Sequence, residues 1–383
     1  MNSFITEELE RINAAGLKRA MRVVTGTQGP SVTVDGREAV LLCSNDYLGL
    51  ANHPLVKEAA KRAIDRYGFG AGASRLVSGN MEPHAELEER IRRFKGTGAA
   101  LLFNSGYQTN IGLISALSDR STAVFSDRLN HASIVDACRL SFAGVHRYPN
   151  RDVDSLERLL KKSAAKNKLI VTDGVFSMDG SIAPLKEIAG LLDRHNALLI
   201  VDDAHATGVL GKTGRGTPEH LGVTHPSVIH MGTLGKALGS FGAYVAGSKS
   251  LIELLISKAR PFIYTTALPP SMASASIAAF DVMENEPSLR DKLWENVEFF
   301  KRGLPEGIET LGSPTQIIPI VVGDASRTME ISKNLLEKGV FIQGIRPPTV
   351  PEKTSRLRVT ITAAHGSEDL RKALAAIKEE LAR

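Results

Sequence analysis

The sequence has 383 residues, 43% of them hydrophobic and 23% charged, with a net charge of +5. That length allows a large core with a companion domain, and the balance excludes disordered and fibrous classes. Lys and Arg are dispersed, with no long basic tract or interleaved aromatics, which argues against nucleic acid as a partner.

Residues 1–10 are polar and acidic, and no apolar run reaches membrane-spanning length, so a cytoplasmic protein with no membrane segment is expected. Cys43 and Cys138 lack metal-ligand spacing and read as small buried thiols, so no metal site is expected.

In chain order, residues 6–23 carry an amphipathic helical pattern and Asp35-Gly36 marks a small hairpin. Residues 1–44 are expected to pack with the C-terminal domain or a partner subunit. From 45 to 270, short apolar β-branched runs (99–103, 122–125, 169–172, 197–201, 227–231, 242–246) alternate with helical patterns (134–140, 153–161, 185–194). Such alternation means βαβ units in an α/β fold, with a mostly parallel sheet covered by helices on both faces. Beyond 270 come long helical segments (271–286, 289–304, 329–338, 368–383) with strands at 316–321 and 356–361, predicting a smaller α+β domain over 271–383.

Two glycine-rich segments invite nucleotide readings that their context rejects. Gly68-Phe-Gly70-Ala-Gly72-Ala73 follows a helical pattern at 56–67, where a dinucleotide fingerprint needs a strand. Gly232-Thr-Leu-Gly-Lys236-Ala237 lacks the early glycine of a P-loop and has Ala237 where a metal-binding hydroxyl belongs. What remains is Lys236 on a loop after a strand, with Thr233 before it and little bulk around it, the setting a Schiff-base lysine needs. A lysine between glycines is by itself more often a solvated loop residue.

Asp202 shifts that balance. The run Ala197-Leu-Leu-Ile-Val201 ends in Asp202-Asp203-Ala204-His205, which puts an acid at the carboxyl end of a buried strand. A carboxylate there needs a partner, and a protonated pyridine nitrogen is a suitable one. His205 could reach a phenolic oxygen of the same ring, and Asp203 reads as structural. The run 99–103 leads into Asn104-Ser105-Gly106-Tyr107 and a helix, so free N–H groups near Gly106 form a phosphate seat. His131, just past another strand, could stack on a planar ring.

With these residues assembled, the chain resembles the α-oxoamine synthases, fold-type-I pyridoxal-phosphate enzymes, over nearly its whole length. The resemblance rests on Ser44-Asn-Asp-Tyr-Leu-Gly49, Thr172-Asp-Gly-Val-Phe-Ser-Met-Asp-Gly180, Val201-Asp-Asp-Ala-His205, Gly232-Thr-Leu-Gly-Lys236 and Ala363-Ala-His365. It implies pyridoxal 5'-phosphate on Lys236, with Asp202 at the pyridine nitrogen, His205 at the phenolic oxygen and His131 over the ring and beside the substrate. Ser105, Gly106, Tyr107, Ser177 and Thr233 would position the cofactor and its phosphate. Arg346 would bind the amino-acid carboxylate and Thr349 would help hold substrate, with Asn45 and Ser74 as lesser candidates and an N-terminal basic residue at Arg19 or Arg22.

Phe262-Ile-Tyr-Thr265-Thr266 resembles the segment by which one subunit reaches its neighbour's phosphate, which implies a homodimer. Two further segments, Gly70-Ala-Gly-Ala-Ser-Arg-Leu-Val-Ser-Gly79 and Ile345-Arg-Pro-Pro-Thr-Val-Pro351, resemble the branch that joins L-alanine to a pimeloyl thioester, on CoA or acyl carrier protein, with loss of carbon dioxide. The rivals are the glycine-using acetyltransferases of the same fold and, in another class, an aminotransferase or lyase that takes no thioester.

Overall fold

The computed structural model describes residues 3–382; residues 1, 2 and 383, at the ends of the expected first and last segments, lie outside the described residues. Its centre is a seven-stranded sheet in the order Ala99–Phe103, Ala243–Gly247, Val228–Thr233, Ala197–Asp202, Asn167–Asp173, Thr122–Asp127, Gly144–Tyr148. The last five of these strands are mutually parallel. Alternate side chains on one strand enter different cores: Val124 and Ile200 join Ile134 and Leu113 on one face, while Phe125, Leu199 and Val201 join Leu156, Ile188 and Leu192 on the other. Burial on both faces is why these strands read as continuous apolar runs.

Two features depart from expectation. Ala243–Gly247 runs antiparallel to both neighbours. The link from Val228–Thr233 is the short segment 234–242, which cannot hold the crossover a parallel return requires. Gly144–Tyr148 was not anticipated, because an edge strand with mostly exposed side chains carries no apolar signal.

The N-terminal helix is Ser3–Ala14, shorter than the expected 6–23. It stops at Gly16, whose φ of +65° closes the last turn as only glycine does without strain, and it buries no side chain that could extend it. Strands Ser31–Val34 and Arg37–Leu41 then form the hairpin, with Asp35 (φ 48°) and Gly36 (φ 80°) both in the left-handed region that a tight two-residue turn demands. Arg37–Leu41 also pairs in parallel with Val340–Phe341, tying the N-terminal hairpin to the C-terminal part of the chain.

In that part, Ile317–Gly323, Ser355–Thr360 and Gln343–Ile345 form a second, antiparallel sheet. One apolar cluster runs from Leu42 and Tyr47 through Leu238 and Phe280 to Ile317, Leu357 and Leu370, so the two sheets press on a shared core. Helix Pro270–Asn285, at the expected boundary, packs against Pro54–Tyr67 and Glu82–Lys95.

Candidate active site

The carboxyl ends of the parallel strands converge on a cavity of about 200 Å³ lined by Gly106, Tyr107, Asn110, His131, Asp173, Ser177, Asp202, His205, Thr233 and Lys236. Register explains the convergence: Asp173 pairs with Asp202, and Asp202 with Met231, so acids ending successive apolar runs arrive side by side. The short return to Ala243–Gly247 carries Lys236 over that edge.

Lys236 Nζ lies 2.9 Å from His205 Nε2. Burial pushes the Lys236 amine down to about 8; Asp202 and Asp173 pull the other way, and Arg358 adds to the fall. Burial, then the neighbouring Lys236, holds His205 well below the usual histidine range, so its ring is neutral. Asp202 is buried and fixed: Oδ2 accepts from Asn110 Nδ2 at 2.7 Å, and Oδ1 from the Ala204 N–H at 3.0 Å. Asp173, raised well above the usual carboxylate range by burial and then by Asp202, accepts from the His131 backbone N–H at 3.0 Å. His131 heads helix Ala132–Leu140, its Nδ1 accepting from the Ser133 N–H at 3.2 Å.

Ser105 caps helix Gly106–Leu117, accepting from the Gln108 N–H at 3.3 Å. The first-turn N–H groups of this helix have no intrahelical partner and suit an anion. A Cβ on Gly106 would stand 2.9 Å from Thr233 Cγ2, so glycine is what lets the helix start close onto the strand end. The Tyr107 hydroxyl donates to Asp136, joining the two helices that frame the opening.

These groups fit pyridoxal phosphate: a buried amine of lowered basicity for its carbonyl carbon, a fixed carboxylate for its ring nitrogen, and a helix start for its phosphate. Lys236, Asp202, His205, His131, Ser105, Gly106, Tyr107, Ser177 and Thr233 all lie in or beside this cavity.

The other expected residues lie elsewhere within the chain. Arg19, Arg346 and Thr349 line a separate groove of about 1230 Å³ between the N-terminal segment and the Ile345–Thr349 loop, and Arg346 Nη2 donates to the Lys18 carbonyl at 3.2 Å. The guanidinium acting on Lys236 is that of Arg358, because strand Ser355–Thr360 passes beneath the cavity while the 346–349 loop turns away onto the N-terminal segment. Arg346, expected at the amino-acid carboxylate, thus lies outside the Lys236 cavity of its own chain. Arg22 is paired with Asp35 at 2.8 Å. Ser74 bridges to Thr266, whose carbonyl accepts from Asn104 Nδ2 at 2.8 Å; with Thr265 they lie outside the Lys236 cavity of their own chain. Asn45 is part of a network under His205, its Oδ1 accepting from Arg358 Nη2 at 3.2 Å.

Sequence reasoning passed over Asp173, Asn110, Tyr47 and Arg358. Asp173 carried the same signal as Asp202, an acid ending a buried run, and Asn110 lies one helical turn after Gly106. Nothing local marks Arg358, which alternates with apolar residues as a surface arginine on a strand would.

A lysine, two aspartates and two histidines at the carboxyl edge of such a sheet, beside a helix start, define a pyridoxal-phosphate enzyme of fold type I. Comparison with known proteins narrows the class. The profile of the aminotransferase class I and II family matches residues 37–377. The 8-amino-7-oxononanoate synthase of Geobacter metallireducens is 58% identical over 379 residues, 98% of this chain and 97% of that one.

Among solved structures, serine palmitoyltransferase from S. paucimobilis with bound PLP-myriocin aldimine matches with a TM-score of 0.92 at 29% identity, covering 99% of this chain and 96% of that one. The 8-amino-7-oxononanoate synthase of Francisella tularensis matches with a TM-score of 0.77 at 30% identity, covering 90% and 98%. The chain belongs to the aminotransferase class I and II family and, within it, to the 8-amino-7-oxononanoate synthases.

Proposed function

We propose that the chain condenses L-alanine with a pimeloyl thioester, on CoA or acyl carrier protein, releasing carbon dioxide and the free thiol and forming 8-amino-7-oxononanoate, a step of biotin biosynthesis. The observation that carries this is the buried Lys236 amine between His205 and Asp202, in a chain 58% identical to an enzyme of that name.

When bound, pyridoxal phosphate supplies an electron-withdrawing ring that stabilises negative charge at the amino acid's Cα. Lys236 holds the cofactor and moves the Cα proton; with its amine near 8 it is a usable base close to neutral pH. Asp202, fixed by Asn110 and the Ala204 N–H, keeps a proton on the ring nitrogen. His205 would serve the cofactor's phenolic oxygen, and His131, held by Asp173 and Ser133, would stack on its ring and polarise the thioester carbonyl. The helix start at Ser105–Tyr107, with Ser177 and Thr233, takes the phosphate.

Arg358 binds alanine's carboxylate. Two of its arms are committed to the Ser177 carbonyl and Asn45 Oδ1, which fixes the fork and leaves further N–H groups to donate. Arg19, Arg346 and Thr349 serve the acyl side, where Leu17, Met21 and Pro347 offer apolar wall and the arginines an anchor for a far carboxylate.

A homodimer completes the site in this reading. Phe69, Leu76, Val77 and Tyr264 stand exposed near the Ser74–Thr266 bridge, an apolar surface that a second copy covers while Thr265 and Thr266 approach the neighbouring phosphate. Among the described residues no helix is long and apolar enough to cross a membrane, and a cytoplasmic enzyme is part of this reading. The chain divides as 1–44, 45–270 and 271–383.

Product mass spectrometry with alanine or glycine against a panel of thioesters tests the reading. The expected product is 8-amino-7-oxononanoate; a preference for glycine with acetyl-CoA, or turnover without any thioester, overturns it.

A further inference from the structure

Beneath the cavity, hydrogen bonds run from Arg358 to Lys236, and their donors can be assigned from one end. A guanidinium only donates, so the Asn45 atom 3.2 Å from Arg358 Nη2 is the amide oxygen. That oxygen only accepts, so the Tyr47 hydroxyl, 3.1 Å away, points its proton at Asn45. Tyr47 is fully buried, and burial raises its hydroxyl above the usual range, so the proton stays on. Tyr47 Oη is then an acceptor for His205 Nδ1, 2.6 Å away. A neutral His205 with its proton on Nδ1 presents a bare Nε2 to the Lys236 amine, 2.9 Å off. Gln316 Nε2 donates to the His205 carbonyl at 2.9 Å, and Gln316 and Arg358 both also act as donors on the Tyr47 oxygen, which accordingly keeps its own proton directed at Asn45.

We propose that Tyr47 is a positioning residue which, oriented by Arg358 through Asn45, fixes the tautomer of His205 so that Nδ1 carries the proton and Nε2 accepts from Lys236. The chain also contains its own switch: if Asn45 stops accepting, the Tyr47 proton turns to Nδ1 and the imidazole proton moves to Nε2, where it opposes the lysine ammonium. The inference concerns the chain without cofactor and is independent of which amino acid or thioester is used, so it can fail while the proposed reaction stands, and the reverse.

Long-range ¹H–¹⁵N correlation spectra of histidine-labelled apoprotein read the tautomer directly, with His205→Asn assigning the signal. The wild type should show the pyridine-like nitrogen at Nε2. Asn45→Leu keeps Tyr47 and its packing but should invert the tautomer, and Asn45→Asp, which restores an acceptor, should return it. Tyr47→Phe should also move the proton to Nε2, since a buried Nδ1–H would otherwise lose its partner.

A second readout is the pH dependence of cofactor capture by apoprotein, whose midpoint should fall by about one unit in Asn45→Leu as the ammonium loses its acceptor. Asp202, Asp173, Arg358 and His131, the other charged or titratable groups acting on Lys236 and His205, are unchanged in these variants. A wild-type proton on Nε2, or an Asn45→Leu protein with the wild-type tautomer, overturns the proposal. Should Tyr47→Phe fail to fold, Asn45→Leu decides alone.

Discussion

Two concavities of this molecule are built in opposite ways. The Lys236 cavity, about 200 Å³, is walled by strand ends and a capped helix start, and Asp202 and Asp173 within it each meet backbone or side-chain donors. The groove at Arg346 is about 1230 Å³; the irregular stretch after Gly16 and a proline loop form one part of its wall and helices Ser3–Ala14 and Ala325–Glu337 another, and Arg346 donates to the Lys18 carbonyl across it. The contrast teaches that the groups proposed for chemistry sit where the sheet imposes position, whereas the groove proposed for the acyl chain is partly irregular surface that can adjust.

That comparison can be broken from the catalytic end first. Lys236→Ala should lower kcat by roughly 10³-fold or more while the fold is retained, measured by thiol release with circular dichroism as control. Activity within tenfold of wild type would remove Lys236 from the chemistry. Asp202→Asn should keep the cofactor yet lose on the order of 10²-fold in kcat, because a neutral amide cannot hold the ring proton by an ion pair; near-normal turnover would reassign the role.

Arg358→Lys should weaken L-alanine about tenfold or more, read spectroscopically without thioester, since a point charge does not reproduce a fork. Arg346→Ala should leave alanine affinity within about twofold and instead raise KM for the thioester. If the alanine effects of these two variants are exchanged, the division between the two concavities is wrong.

The smallest effect sharpens the picture through pH. Only the neutral amine attacks a carbonyl, and burial lowers Lys236 from the usual lysine value of 10.5 to about 8. Cofactor capture by apoprotein should therefore rise with pH through a midpoint near 8 and fall off below it. A midpoint near 10.5 would mean the amine is solvated.

Read alone, the sequence located the sheet's strand ends and placed Lys236, Asp202, His205, His131 and the Ser105–Tyr107 turn on them. Each is a short-range statement: an apolar run needs burial on both faces, and the polar residue that ends it must lie at the sheet edge where ligands bind. Tertiary structure decided what depends on residues far apart in the chain. It turned Ala243–Gly247 antiparallel, set Arg358 against Asn45 and the Ser177 carbonyl, and laid Tyr47 against His205, 158 positions away. No local periodicity distinguishes a buried arginine on an alternating strand from a surface one. That difference arises only when the second sheet packs on the core it shares with the first, burying Arg358 beside Asn45 while the preceding loop leaves Arg346 outside the cavity.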